Sequence, residues 1–332
     1  MKNAPIIFCH YGNSKYLPYV FECIKLSNKN KEIILLGDES NIAVARLHGI
    51  SHVILKDYDF GDDLRVFDDI YQLITTRGFD SHKHGEDWNK FVFRKWFILN
   101  NFLIKNSIEQ FWHFDSDTMI FTDLSTLEDR YKNLDCTEQC MGYCMKGFFT
   151  NSKIIGRYTA KINEVFQRKP FIEGVKESMK NHNDVASFNE MSVYTIFKQE
   201  ESFKTVHLID IVDDSFFDDL MCRGHGMKME KLPLGEDTKV VFLNSDGRFF
   251  CQEEETGKLI HAHALNLSWI PIYIYKAILK HFKTNYGKPS ATPTQNTITL
   301  AQVSVPIKQR LKLLRKAIKK LVLPGSKVLP RG

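Results

Sequence analysis

Apolar and polar positions alternate in two rhythms along the first third of the chain. Ile6-Ile7-Phe8-Cys9 is a short apolar run that ends at Tyr11-Gly12-Asn13, the pattern of a strand closed by a loop. Tyr16 to Leu26 has helical spacing, and Lys31-Glu32-Ile33-Ile34-Leu35-Leu36 reads as a second strand closed by Gly37-Asp38. A further helical stretch leads to the short strand His52-Val53-Ile54-Leu55. Strands separated by helices of this length form βαβ units, which predicts an α/β fold around a mixed, mainly parallel sheet covered on both faces. Ligands of such sheets lie beyond the carboxyl ends of the strands, so Tyr11, Gly12 and Asn13, and the loop from Asp38 to Asn41, are candidate nucleotide contacts.

Trp88 to Lys105 reads as a long helix, apolar around most of its circumference and interrupted by Arg94 and Lys95. Arg94 is there either a satisfied structural residue or a ligand of bound nucleotide. The strand Phe111-Trp112-His113-Phe114 follows and delivers Asp115-Ser116-Asp117 at its carboxyl end, before the strand-like run Thr118-Met119-Ile120-Phe121. Two carboxylates one residue apart, between aromatic and aliphatic neighbours, repel and require a compensating cation. A hard divalent ion, Mn²⁺ or Mg²⁺, accepts carboxylate and phosphate oxygens together. Neither a G-x-G-x-x-G nor a G-x-x-x-x-G-K-[ST] pattern occurs, which argues against a dinucleotide site or a P-loop.

An apolar strand, Asp-x-Asp and a second apolar strand at this point of an α/β chain resemble the D-x-D motif of GT-A glycosyltransferases, whose fold is Rossmann-like. The Arg-Lys-Trp-Phe-Ile-Leu helix is similar to the one before D-x-D in bacterial polysaccharide-type transferases, including the galactosyl- and glucosyltransferase families. Phe8-Cys9-His10-Tyr11-Gly12-Asn13 and Leu36-Gly37-Asp38 are similar to that group's nucleotide-binding loops. The resemblance spans residues 5–130 well and 185–265 loosely. It implies a nucleotide-sugar donor, with UDP ahead of GDP, and a glycan or lipid-linked acceptor. By the same resemblance Asp117 ligates the metal. Asp115 contacts ribose or sugar and approaches the metal directly or through water, with Ser116 between them in the donor site. A late histidine is a common third ligand in the group; Leu259-Ile260-His261-Ala262-His263-Ala264 offers two imidazoles on one face, His263 ahead of His261. The group's Gly-x-x-Lys after this histidine is replaced by Leu265-Asn266-Leu267-Ser268-Trp269. An acidic residue before a middle helix, here Ser192 to Phe197, is expected beside the anomeric carbon: Glu190 matches best and Asp184 second. Glu190 also fits a plain first-turn acid favoured by the helix dipole.

Composition adds bounds. The chain has 332 residues, 43% hydrophobic, with 25 Phe, enough for a substantial core. The expected organisation is a catalytic domain over residues 1–285, with a nucleotide-binding half 1–130 and an acceptor and sugar half 131–285. A linker follows over 286–306, rich in Pro, Thr, Ser and Gln, and then a tail over 307–332. His10 cuts the opening apolar stretch too short for a secretory leader, and no run has bilayer-spanning length. Seven cysteines fit reduced thiols in a cytoplasm, and Cys136, Cys140 and Cys144 lack the C-x-x-C spacing of zinc sites. From Tyr286 onward there are ten basic residues and no acidic one, against a whole-chain net charge of +5, so the body before it is net negative. Ile307, Leu311, Leu314, Ile318, Leu321 and Val322 form one helical stripe, with Lys308, Lys312, Arg315, Lys316, Lys319 and Lys320 opposite. A basic amphipathic helix of this kind fits an anionic membrane surface, which would place the protein at the inner face of the membrane. The alternative is a helix docked on the body. No aromatic residue follows Tyr286 to stack on bases, so nucleic acid is not an expected partner.

Two other readings compete. A haloacid-dehalogenase-like phosphatase carries Asp-x-Asp-x-Thr, but Asp115-Ser116-Asp117-Thr118 has its Thr one position early and follows three strands. Asp213-Asp214 or Asp218-Asp219 would supply that enzyme's late acidic motif. A non-catalytic nucleotide-sugar-binding protein of the same fold is the other.

Overall fold

The computed structural model describes residues 4–79, 85–182, 184, 186–291 and 297–306. The chain divides into two compact units, one of residues 1–221 with 260–268, the other of 222–259 with 269–332.

In the first unit the expected βαβ rhythm is present. Strand β1 (Ile6–Cys9) leads to helix α1 (Leu17–Ser27), β2 (Ile33–Gly37), α2 (Ile42–His48), β3 (Ser51–Ile54) and α3 (Asp62–Ile70). Helix α4 (Glu86–Lys105) then precedes β4 (Phe111–Asp115) and the short β5 (Thr118–Ile120). Strands β6 (Cys136–Gln139) and β7 (Cys144–Phe149) form a hairpin, followed by α5 (Lys153–Gln167), α6 (Glu190–Glu200), β8 (Thr205–His207) and β9 (Ser215–Phe217).

The local reasons are ordinary. Pro18 near the start of α1 sits where its missing N–H costs nothing, and Gly49 closes α2 in the left-handed conformation. Asn189 caps α6 by accepting from the amides of Met191 and Ser192. Every residue of β2 is buried, as a strand covered on both faces requires.

Seven strands form the central sheet in the order β3-β2-β1-β4-β7-β6-β8. β3, β2, β1 and β4 are mutually parallel, β7 is antiparallel to β4 and β6, and β8 is parallel to β6. The mixed, mainly parallel α/β sheet expected from the pattern is therefore present. Because β6, β7 and β8 extend the sheet of β1–β4, it runs through residue 130, where a division between halves is expected. Aromatic rings of α3, α4 and α5 fill one face, with Phe93, Phe97 and Phe166 all packed on Phe67.

The second unit holds the antiparallel pairs β10 (Met229–Lys231) with β11 (Asp237–Lys239) and β12 (Val241–Leu243) with β13 (Phe249–Gln252), and a helix over Ile272–Asn285. Its described residues between 286 and 306 are bonded to that unit, unlike a free linker. Asn244 donates to the carbonyl of Ala291, Leu243 N–H to that of Ile298, and Leu300 is buried. Polar composition does not prevent packing once the backbone groups find partners. Residues 307–332 lie outside the described residues.

Strand β14 (Leu259–Asn266) belongs to the first unit apart from Leu259. It pairs antiparallel with β5, Ala264 opposite Ile120 and Asn266 opposite Thr118, and parallel with β9.

Candidate active site

Asp115 ends β4 directly beside Cys9 at the end of β1, so the loops after β1, β2 and β4 converge at the carboxyl edge of the sheet. The first two are tied together. Gly12, in the left-handed region at φ +80°, donates its N–H to Asp38 Oδ2 at 2.6 Å, and its carbonyl accepts from Asn41 Nδ2 at 2.8 Å. Gly37 permits the close approach: a Cβ there would lie 2.6 Å from Asn41 Oδ1. Burial alone would raise the Asp38 carboxyl, but donors from Ser40 and Gly12 outweigh it and keep it ionised. Tyr11 is 58% exposed and leans on Phe91 of α4, ring centroids 5.4 Å apart; Asn13 is exposed beside it.

Ser116 is held from the β1 loop. Its Oγ lies 2.8 Å from His10 Nδ1 and 3.3 Å from Tyr16 Oη. Burial lowers the His10 imidazole to about 4 against the opposing pull of Asp38, so it is neutral near pH 7.

The two aspartates have opposite surroundings. Lys146 of β7, its side chain 3% exposed, donates to Asp115 Oδ1 at 2.7 Å, and Lys95 of α4 stands 3.6 Å from the same oxygen. Lys146 is fixed from behind. His113 Nδ1 lies 2.9 Å from the Ile7 carbonyl and so carries the proton, which leaves Nε2 to accept from the Lys146 ammonium at 3.3 Å. Burial alone would raise the Asp115 carboxyl, but Lys146 and Lys95 outweigh it and hold it well below the ordinary range. Asp117 goes the other way. Burial, and then the charge of Asp115, push it up to about 6. Its Oδ2 accepts from Ser268 Oγ at 2.7 Å, its carbonyl accepts from Leu267 N–H at 3.1 Å, and its buried Oδ1 has no hydrogen-bond partner. Glu190 opens α6 with its carboxyl raised by burial, opposed chiefly by Lys95, and its carbonyl accepts from Tyr158 Oη at 2.6 Å.

Asp115, Ser116, Asp117 and Glu190 thus share one site with the Gly12–Asp38 loops at its edge. Arg94 does not join them. One residue along α4 from Lys95, it points about 100° away and is paired with Asp59 and Asp68, the arrangement of a satisfied structural residue. Asp184 is exposed, and its backbone carbonyl accepts from Thr76. The two histidines are also displaced, and the reason is register. The Phe121 amide bonds the His263 carbonyl, so His263 sits four residues along the ladder from Asp117, roughly 13 Å away at strand spacing. Its Nδ1 lies 2.9 Å from Thr122 Oγ1, and the His261 ring packs on it at 4.9 Å. The chain just past the end of β14 does reach Asp117, and it carries Ser268. Among the described residues no three His, Cys, Asp or Glu side chains converge as a metal-holding group.

Sequence reasoning missed His10, Tyr16, Lys95, His113, Lys146 and Ser268. Lys146 had a signal, a lone cation inside the otherwise apolar Cys144–Phe149 run. A buried charge implies a buried partner.

No protein-family model matches the sequence, and neither does any curated protein. Among solved structures the chain is similar to a cytidylyltransferase from Leptospira borgpetersenii serovar Hardjo-bovis (strain JB197). That match has 12% identity and a TM-score of 0.30, and covers 60% of this chain and 94% of that one. It is also similar to the glycosyltransferase GlyE of Streptococcus pneumoniae TIGR4, at 15% identity and TM-score 0.30, covering 62% of this chain and 45% of that one. The apo form of GlyE gives 13% identity, TM-score 0.26 and coverages of 65% and 47%. The chain spans less than half the length of the GlyE structures. At these scores the likenesses add nothing to the fold read from the sheet itself.

Proposed function

We propose that the chain is a metal-dependent glycosyltransferase that moves a sugar from a nucleotide-sugar, a UDP-sugar first, to a glycan or lipid-linked acceptor. One observation carries this reading: Asp117 holds a buried oxygen without a partner, at the carboxyl edge of a mainly parallel sheet, beside a carboxylate already neutralised by lysines. A buried carboxylate oxygen left unpaired is costly unless a cation completes it. The donor set is all oxygen, which suits Mn²⁺ or Mg²⁺ with the remaining positions filled by phosphate and water. Bound there, the metal would supply Lewis-acid neutralisation of the departing nucleotide's charge.

The protein's own groups divide the remaining work. Gly12, Asp38 and Tyr11 form the nucleoside edge. Asp115, fixed in orientation by Lys146, accepts hydrogen bonds from hydroxyl groups of ribose or sugar, and Ser116 is locked between His10 and Tyr16. Glu190, its carboxyl raised by burial, is suited to take a proton from the acceptor, which would give inversion; Asp184 is too exposed for that part. The phosphatase reading finds less support in its late acidic pairs. Asp218 accepts from Asn266 N–H and Asp219 from Met141 N–H, so both serve the backbone, while Asp213 pairs with Arg130.

Calorimetry on the full chain tests the proposal. UDP is expected to bind at least about tenfold tighter with Mn²⁺ than with EDTA, ahead of GDP. Equal affinity in both buffers would remove the metal from the reading. No helix among the described residues is long and apolar enough to cross a membrane. We attribute membrane contact to the basic segment 307–332. Full-length protein is expected to pellet with anionic liposomes at low salt, and a chain ending at Pro306, which keeps the packed residues Ala291, Ile298 and Leu300, to remain in the supernatant. Equal distribution would return the segment to packing on the body.

A further inference from the structure

We infer that the Ser268 hydroxyl, and neither His261 nor His263, is the protein ligand that joins Asp117 on the cation. The inference rests on the metal-dependent reading above and names a residue that reading leaves open.

A serine hydroxyl has one proton. Ser268 donates it to Asp117 Oδ2 at 2.7 Å, which leaves the oxygen's lone pairs free for a further acceptor role, next to a carboxylate whose Oδ1 is buried and unpaired.

Ser268 is not a mobile loop residue that happens to touch the aspartate. Its amide donates to Asn266 Oδ1 at 3.0 Å, and the Asn266 amide donates to the fully buried Asp218 at 3.0 Å. The Leu267 amide bonds the carbonyl of Asp117 itself, so backbone bonds fix Ser268 and Asp117 relative to each other. The histidines lack this placement. His263 is tied to Phe121 and Thr122, four residues along the ladder, and no side-chain rotation covers that span.

A plain hydrogen bond between Ser268 and Asp117 is the competing account, and metal selectivity separates the two. Mn²⁺ binding to the full chain with UDP present is followed by the electron paramagnetic resonance signal of free Mn²⁺. Ser268→Ala is expected to weaken Mn²⁺ about tenfold or more, while His263→Ala leaves it unchanged. Ser268→Cys puts a soft donor at the same point, at nearly the same size. It is expected to bind Cd²⁺ with a thiolate-to-metal absorbance band absent from the wild-type difference spectrum. Wild-type Mn²⁺ affinity in a folded Ser268→Ala protein overturns the inference. So does a Cys variant without the new band, which would leave Ser268 as a hydrogen-bond donor alone. Absence of Mn²⁺ binding to the wild type would instead sink the metal-dependent reading itself.

Discussion

Asp117→Asn is expected to abolish Mn²⁺-dependent UDP binding and, in the same protein, to raise the melting temperature of the metal-free form. Both effects come from one oxygen. In the metal-free protein the Asp117 carboxylate is buried, carries an unpaired Oδ1 and feels the charge of Asp115, and these push its pKa up to about 6. The unfolded chain has no such environment, and its Asp titrates near the ordinary value of about 3.9. Between those values the folded state binds the proton that the unfolded state has lost. Ionising Asp117 therefore disfavours the fold as pH rises through about 6, and the penalty is fully present at pH 8. An amide keeps the shape and removes the charge. The variant should melt a few degrees above wild type at pH 8 in EDTA, with the gap closing as pH falls from about 6 to about 4. With Mn²⁺ and UDP added the order should reverse, because only the wild type gains stability from the ligand. Differential scanning calorimetry at several pH values, with and without metal, reads both. A variant that binds Mn²⁺ and UDP like the wild type would exclude Asp117 from the cation site. This is the stability–function exchange expected where a site keeps a charge for its ligand.

The parts of this site differ in how far the sequence reveals them, and the difference is one of sequence distance. β1, β2, β3 and β4 are legible because each is a compact apolar run with a turn signal after it. Asp115 and Asp117 are legible because their chemistry lies within three consecutive residues. Gly12 and Asp38 follow from the rule that ligands collect at carboxyl ends, and the amide-to-carboxylate bond between them is the outcome. Lys95 shows the first limit. Arg94 and Lys95 interrupt the same apolar helix, and a single residue of rotation sends one to Asp59 and Asp68 and the other to Asp115. Periodicity locates the helix but does not choose between neighbours near the edge of its apolar face. His261 and His263 show the second limit. Alternation correctly groups the two rings on one side of β14, whereas their distance from Asp117 depends on the register of β14 against β5, over 140 residues apart in sequence. Nothing local encodes that register. Ser268 is illegible for the same reason, and the lone cation Lys146 marks a buried charge without naming its partner, since both reach the aspartates through antiparallel pairings with no sequence proximity.

Lys146→Met is expected to give the largest loss of turnover that leaves both aspartates in place. The ammonium sits between Asp115 Oδ1 and His113 Nε2, with the imidazole fixed by the Ile7 carbonyl. Methionine matches the stem and deletes the charge. Removing one partner of a buried ion pair costs about 3–5 kcal/mol when the other charge stays uncompensated. Here Asp115 is only half-buried and keeps Lys95 at 3.6 Å, so a smaller loss is expected, about 1–2 kcal/mol, seen as a melting point lower by a few degrees. The functional loss should be larger in proportion, about 10²-fold in the hydrolysis of a nucleotide-sugar, because the carboxylate loses its fixed orientation toward the donor. The pH profile distinguishes this from simple destabilisation. In the wild type, Lys146 and Lys95 hold Asp115 well below the ordinary range, so it stays ionised throughout the working pH. Without Lys146, burial is opposed chiefly by Lys95, with His113 a smaller contribution, and the Asp115 pKa rises. Activity should then fall further between pH 7 and pH 5 in the variant than in the wild type. Lys95→Met, which removes the more distant cation, should move the same limb less. Parallel pH profiles in wild type and Lys146→Met, with only the melting point lowered, would show that Asp115 does not depend on Lys146 for its charge, and Lys146 would then be a packing residue of β7.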